Sequence, residues 1–117
     1  MKRGDVYLAN LDPTKGSEQS GSRPVVIVSR DAINRSSPVV IAVPCTSWSR
    51  GRKLYPSQAL ITAPDGGFTV DSVALCEQVR AIAGDRLTRR CGALLPATML
   101  LLDRALLITL DLPGQFG

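Results

Sequence analysis

Apolar and polar residues alternate in short runs along most of this chain, and clusters of Gly, Pro, Asn and Ser separate the runs. Asp5 to Leu11, Pro24 to Ser29 and Pro38 to Pro44 are rich in Val and Ile and read as strands. Gln58 to Thr62 is a fourth, followed by the turn-forming run Pro64-Asp65-Gly66-Gly67. Val73 to Ile82 reads as a fifth strand. Its period-2 pattern places Val73, Leu75 and Val79 on one side and Cys76, Gln78 and Arg80 on the other, so a polar face is displayed near its end.

The period changes after a basic, glycine-containing stretch from Arg86 to Gly92. Pro96 suits the first turn of a helix and Pro113-Gly114 suits a stop, which predicts a helix over roughly Ala97 to Leu110. Only Thr98, Asp103, Arg104 and Thr109 interrupt its apolar residues, so it wants burial on two sides. One side is the chain's own sheet; the other is either more of the same core or a second copy of the chain. Short strands, frequent turns and one closing helix predict a mainly β (α+β) fold. The expected form is a small, strongly bent antiparallel barrel with a C-terminal helix, in a single domain over 1–117 without repeat or linker.

The 117 residues suffice for a core without disulfide or metal staples. No stretch approaches the roughly 20 apolar residues a membrane helix needs, and the N-terminus carries no apolar signal segment. A soluble, cytoplasmic protein without membrane contact is expected. The net charge is +4, with Lys and Arg numbering 14 against 10 Asp and Glu, which tilts the chain toward polyanionic partners. Charge alone does not choose among them.

The sequence contains no histidine, which removes every Ser-His-Asp or Cys-His arrangement. Cys45, Cys76 and Cys91 are odd in number and widely spaced, so they fit neither a disulfide framework nor a zinc site. They read as small buried hydrophobes, and neither a metal nor a cofactor is expected. Arg23 stands directly before Pro24, whose ring biases it to an extended backbone, and Thr46 follows Pro44-Cys45 at the end of a strand. Each also reads as an ordinary surface group. The polar segment from Asp12 to Ser22 is a long connection between two strands; its Lys15-Gly16-Ser17 lacks the spacing of a phosphate-binding P-loop.

Arg3-Gly4-Asp5-Val6-Tyr7, the Asp12 to Gly21 loop, Arg23-Pro24-Val25-Val26, Pro44-Cys45-Thr46-Ser47 and Glu77-Gln78-Val79-Arg80 occur in one order. Together they resemble the MazF/PemK family of toxin endoribonucleases, from Arg3 to about the final helix. The resemblance implies a barrel akin to SH3 folds, a homodimer, cleavage of single-stranded messenger RNA, and a cognate acidic, MazE-like antitoxin. It implies catalytic roles for Arg23 and Thr46, a mobile loop carrying Glu18 and Gln19, and a groove lined by Gln78 and Arg80.

RNA carries its own nucleophile, the 2'-hydroxyl, so the expected cleavage needs no metal and leaves 2',3'-cyclic phosphate and 5'-hydroxyl ends. Arg23 suits electrostatic stabilisation of the phosphoryl oxygens, and Thr46 suits positioning. The general base stays open, with Glu18 and Glu77 as candidates. Ser47 and Asn34 join Gln19 and Gln78 as polar groups for base or backbone recognition. The aromatics are Tyr7, Trp48, Tyr55, Phe68 and Phe116; of these Trp48, beside Thr46, is the best stacking candidate. Arg50, Arg52 and Lys53 form a basic patch after it. The alternative reading is a non-catalytic, CcdB-like gyrase-binding toxin on the same fold.

Overall fold

A computed structural model describes residues 1–114. Strands β1 (Asp5–Asn10), β2 (Ser22–Ile27) and β3 (Val39–Ser47) are followed by β4 (Gln58–Ile61), β5 (Ser72–Leu75), β6 (Arg80–Ala83) and β7 (Leu87–Ala93). They form one antiparallel sheet in the order β4-β5-β3-β2-β1-β7, with β6 also paired to β3. Helix α1 (Asp31–Ser36) links β2 to β3, and α2 (Pro96–Leu110) closes the described chain.

The sheet curls until its ends meet. β7 lies against the short 3-10 turn Asp65–Gly67 between β4 and β5, and a Cβ on Gly92 would come within 2.7 Å of the Gly66 backbone. A Cβ on Gly67, at φ +81°, would come still closer, 2.1 Å from the Cys91 carbonyl oxygen. Only glycine allows both that backbone angle and that approach. Two apolar layers result. Val26, Val43, Ile61, Leu94 and Leu102 belong to one, Val25, Ile27, Val40 and Ile82 to the other.

Asp65 also holds the start of α2, accepting the Leu95 N–H at 2.9 Å and the Thr98 hydroxyl. It thereby satisfies donors left unpaired in the helix's first turn. The helix ends before the expected Pro113-Gly114 stop. Asp111 turns left-handed at φ 53°, and the Leu112 N–H bonds back to the Leu107 carbonyl at 3.0 Å. Met99, Leu102 and Ala105 are buried, whereas Leu100, Leu101, Ile108 and Leu110 stay exposed.

The continuous strand expected over Val73 to Ile82 is broken. Ala74 stands opposite Cys45 and Arg80 opposite Ala42, so five residues, Leu75 to Val79, face only Val43 and Pro44. The three extra residues form a 3-10 turn at Cys76–Gln78. An odd insertion reverses the alternation beyond it, and Ser72 to Leu75 are all buried instead of alternating. Pro44 is tolerated inside β3 because it lies opposite this insertion. β3 therefore continues to Ser47, and β2 begins two residues before Pro24.

Candidate active site

The β2–β3 pairing ends at Val25 opposite Pro44, and Arg23 and Thr46 each lie two residues beyond that pair. Arg23, Thr46 and Ser47 all border a cavity of about 310 Å³. Val6 and Leu8 of β1 and Phe68 supply apolar wall, and Arg89 of β7 supplies a second guanidinium. No carboxylate lines the cavity among the described residues. Its charge is that of an anion site.

Arg23 is held rather than loose. Its Nε donates to the Ser20 carbonyl at 3.1 Å, which leaves both Nη groups without a partner among the described residues. Fixing Nε sets the plane of the guanidinium while the rest of its donor fork stays available to an anion. The anchoring loop is itself strapped down. The Gln19 N–H donates to Gln78 Oε1 at 2.9 Å, and Gln78 Nε2 reaches the Ser17 carbonyl at 3.4 Å. At the loop's base Gly21 N–H meets Asp12 Oδ1 at 3.0 Å, and Arg86 donates to the Asp12 carbonyl at 2.5 Å. Gln78 thus supports, through Gln19 and Ser20, the residue that faces the cavity.

The remaining expected residues are placed as follows. Glu18 accepts the Lys15 N–H at 2.7 Å, and Glu77 accepts Gln58 Nε2 at 2.8 Å, so neither candidate base lines the cavity. Arg80 lies on β6 opposite Ala42. Asn34, on α1, is occupied with Ser29, donating to its carbonyl at 2.9 Å, and serves the β2–α1 junction away from the cavity lining. Trp48 is half-buried with its N–H on the Asp71 carbonyl, and Lys53 rests over the Tyr55 ring; neither borders the cavity. Phe116 lies outside the described residues.

Cys45 and Cys76 are buried, as their composition suggests, while Cys91 is half-buried. Burial pushes the Cys45 thiol well above its ordinary range, with Cys76 adding to the effect. Burial, and then the carboxylates of Glu77 and Asp103, raise Cys76 to about 12. A thiol so raised is a poor nucleophile, although Cys45 contributes to the cavity wall. Arg89 was missed by sequence reasoning. Its strand reads only as a basic stretch, and its proximity to Arg23 depends on β1 lying between β2 and β7.

A curled antiparallel sheet whose strand ends bring a braced Arg23 and Thr46 to a cavity with no carboxylate among its described lining defines a small barrel protein with a cationic site. The chain belongs to the PemK-like, MazF-like toxins of type II toxin-antitoxin systems, whose family model matches residues 2–110. It is 45% identical over 112 residues to endoribonuclease EndoA of Bacillus subtilis, covering 96% of each chain. With endoribonuclease MazF9 of Mycobacterium tuberculosis the identity is 41% over 117 residues, covering 96% of this chain and 98% of the relative. Among solved structures, a mycobacterial endoribonuclease in complex with its cognate antitoxin superposes with a TM-score of 0.80 at 29% identity, over 98% of this chain and 99% of that one. MazF from Deinococcus radiodurans gives a TM-score of 0.80 at 25% identity, over 96% and 97% of the two chains.

Proposed function

We propose that this chain is the toxin of such a pair and cuts single-stranded RNA at a phosphate seated between Arg23 and Thr46, without a metal ion. The observation that carries the reading is the Arg23 guanidinium, tied at Nε to Ser20 and open at both Nη groups, on a cavity that Thr46 also borders. Curated relatives named endoribonucleases support it. The 2'-hydroxyl oxygen bonds to phosphorus as the bond to the 5'-oxygen breaks. The hydroxyl proton leaves, and the 5'-oxygen takes one up. Arg23 stabilises the charge on the phosphoryl oxygens, and Thr46 fixes the phosphate by a hydrogen bond. Ser47, Gln19, Gln78, Glu77, Glu18 and Arg80 are assigned to the RNA groove around this point; Asn34 is given to the fold.

The test is incubation of the purified protein with RNA in excess EDTA, followed by analysis of the new ends. Undiminished cutting to 2',3'-cyclic phosphate and 5'-hydroxyl ends is expected. Dependence on added metal, or ends of the opposite polarity, overturns the reading. The partner is assigned as an acidic antitoxin that competes with RNA for the cationic cavity, its affinity weakening as salt screens the contact.

A homodimer belongs to the same proposal. Leu100, Leu101, Ile108 and Leu110 are each about half exposed along α2, an apolar surface that a partner subunit would cover. Light scattering should give twice the chain mass, and Leu101→Glu should shift the protein toward monomer with its circular dichroism preserved. A wild-type monomer at micromolar concentration that still cuts RNA rules the dimer out as a requirement.

A further inference from the structure

Arg89 and Arg90 are consecutive on β7 and have different surroundings. Arg90 donates to Asp5 Oδ1 at 3.3 Å, whereas the Arg89 side chain makes no hydrogen bond or salt bridge among the described residues and borders the Arg23 cavity. Successive strand residues face opposite sides of a sheet, which accounts for the split. A second uncompensated cation on the cavity that Arg23 also borders raises its positive potential, which a bound anion lowers.

The two cations are separated by β1. Leu8 stands opposite Pro24 on one side and Arg89 on the other, so β2 and β7 are two strand spacings apart, roughly 10 Å. Val6 and Leu8 line the cavity on the Arg89 face of β1. The Ser20 carbonyl keeps the Arg23 fork on the β2 side. Arg23 stands opposite Ala9 and Arg89 opposite Leu8, the neighbouring residue of β1, so the two arginines leave the sheet on opposite faces and reach the cavity from different sides, which fits successive phosphates of a chain better than a single one.

We propose that Arg89 is a substrate-positioning residue that holds an RNA phosphate adjacent to, and distinct from, the one seated at Arg23 and Thr46; this rests on the RNA-cleaving reading above. Arg89 is exposed, so its contact is made partly in water and acts on binding. The experiment compares wild type, Arg89→Ala and Arg89→Lys by cleavage kinetics, and by affinity for an RNA oligonucleotide carrying 2'-deoxy at the cut site, over a range of salt. Arg89→Ala should raise KM and Kd about fivefold, the size of a well-placed exposed ion pair, with kcat unchanged. Its plot of log affinity against log salt should be shallower by about 0.7, one fewer neutralised phosphate on a single strand. Arg89→Lys should restore the slope, because a phosphate contact of this kind needs the charge. An Arg89→Ala protein with wild-type affinity and slope overturns the proposal, as does one whose kcat falls like that of an Arg23 variant. A wild-type protein that binds RNA without cutting it would instead refute the nuclease reading, and the slopes would still decide whether Arg89 holds a phosphate.

Discussion

Arg23→Ala is expected to lower kcat by about a hundredfold to a thousandfold while the protein folds and assembles normally. A preorganised donor aimed at developing charge contributes about 2.7 to 4 kcal/mol to the barrier when removed, and Arg23 meets the condition of preorganisation. Its Nε is already committed to Ser20, so the orientation of its free donors is set before substrate arrives. Its neighbours on β2 are buried at Val25, Val26 and Ile27, and these hold the strand whatever stands at position 23. Arg23→Lys should recover little, because lysine has neither an Nε–H to anchor on Ser20 nor a planar fork. Single-turnover cleavage with excess enzyme separates this from a binding defect. Wild-type rates from well-folded Arg23→Ala protein would place the reacting phosphate elsewhere.

The parts of this fold legible in the sequence are those dictated by local pattern. The period-2 runs gave the positions of β1 to β4, and Pro96 with its apolar successors gave α2 to within one residue. The departures share one cause, which is partner choice made across the sheet. Pro44 appears to a local reading as the end of a strand, yet β3 runs to Ser47 because the residues opposite Pro44 are an insertion that needs no ladder. The same insertion reverses the alternation read across Val73 to Ile82. β7 carries Thr88, Arg89 and Arg90 in succession, a composition that suits the last strand in the sheet order and hides it from a search for Val and Ile.

The site divides in the same way. Arg23 and Thr46 took their roles from a family resemblance, and they border one cavity because β2 pairs with β3 up to Val25 and Pro44, which no local pattern contains. The brace behind Arg23 was not legible at all. Gln19 and Gln78 are 59 residues apart, and the hydrogen bond from the Gln19 backbone N–H to the Gln78 side chain makes Gln78 a support for the loop as well as a residue of the proposed groove. Asn34 shows the converse, since a polar side chain in an apparent loop belongs to a short helix and is consumed by Ser29. Arg89 became visible only when β1 was seen to stand between two strands that each deliver an arginine.

RNA carrying 2'-deoxy or 2'-methoxy at the cut site is expected to resist cleavage completely while binding nearly as well as the unmodified strand. Among the cavity residues, the Cys45 thiol is raised by burial, and the hydroxyls of Ser22, Thr46, Ser47, Thr69 and Ser72 have no histidine in the sequence to activate them. On the proposed reading the 2'-hydroxyl is the nucleophile, and removing or capping it removes the bond that must form to phosphorus. The phosphate itself is unchanged, so Arg23, Thr46 and Arg89 retain their contacts and Kd should move by roughly twofold at most, the share of any lost 2'-hydroxyl hydrogen bond. The two quantities must be measured on one oligonucleotide, because a strand that neither binds nor reacts says nothing about the nucleophile. Cleavage of the blocked strand at the same phosphate, with linear rather than cyclic phosphate ends, would mean that water or a protein group attacks phosphorus, and the cavity would then have to supply the base that its lining lacks.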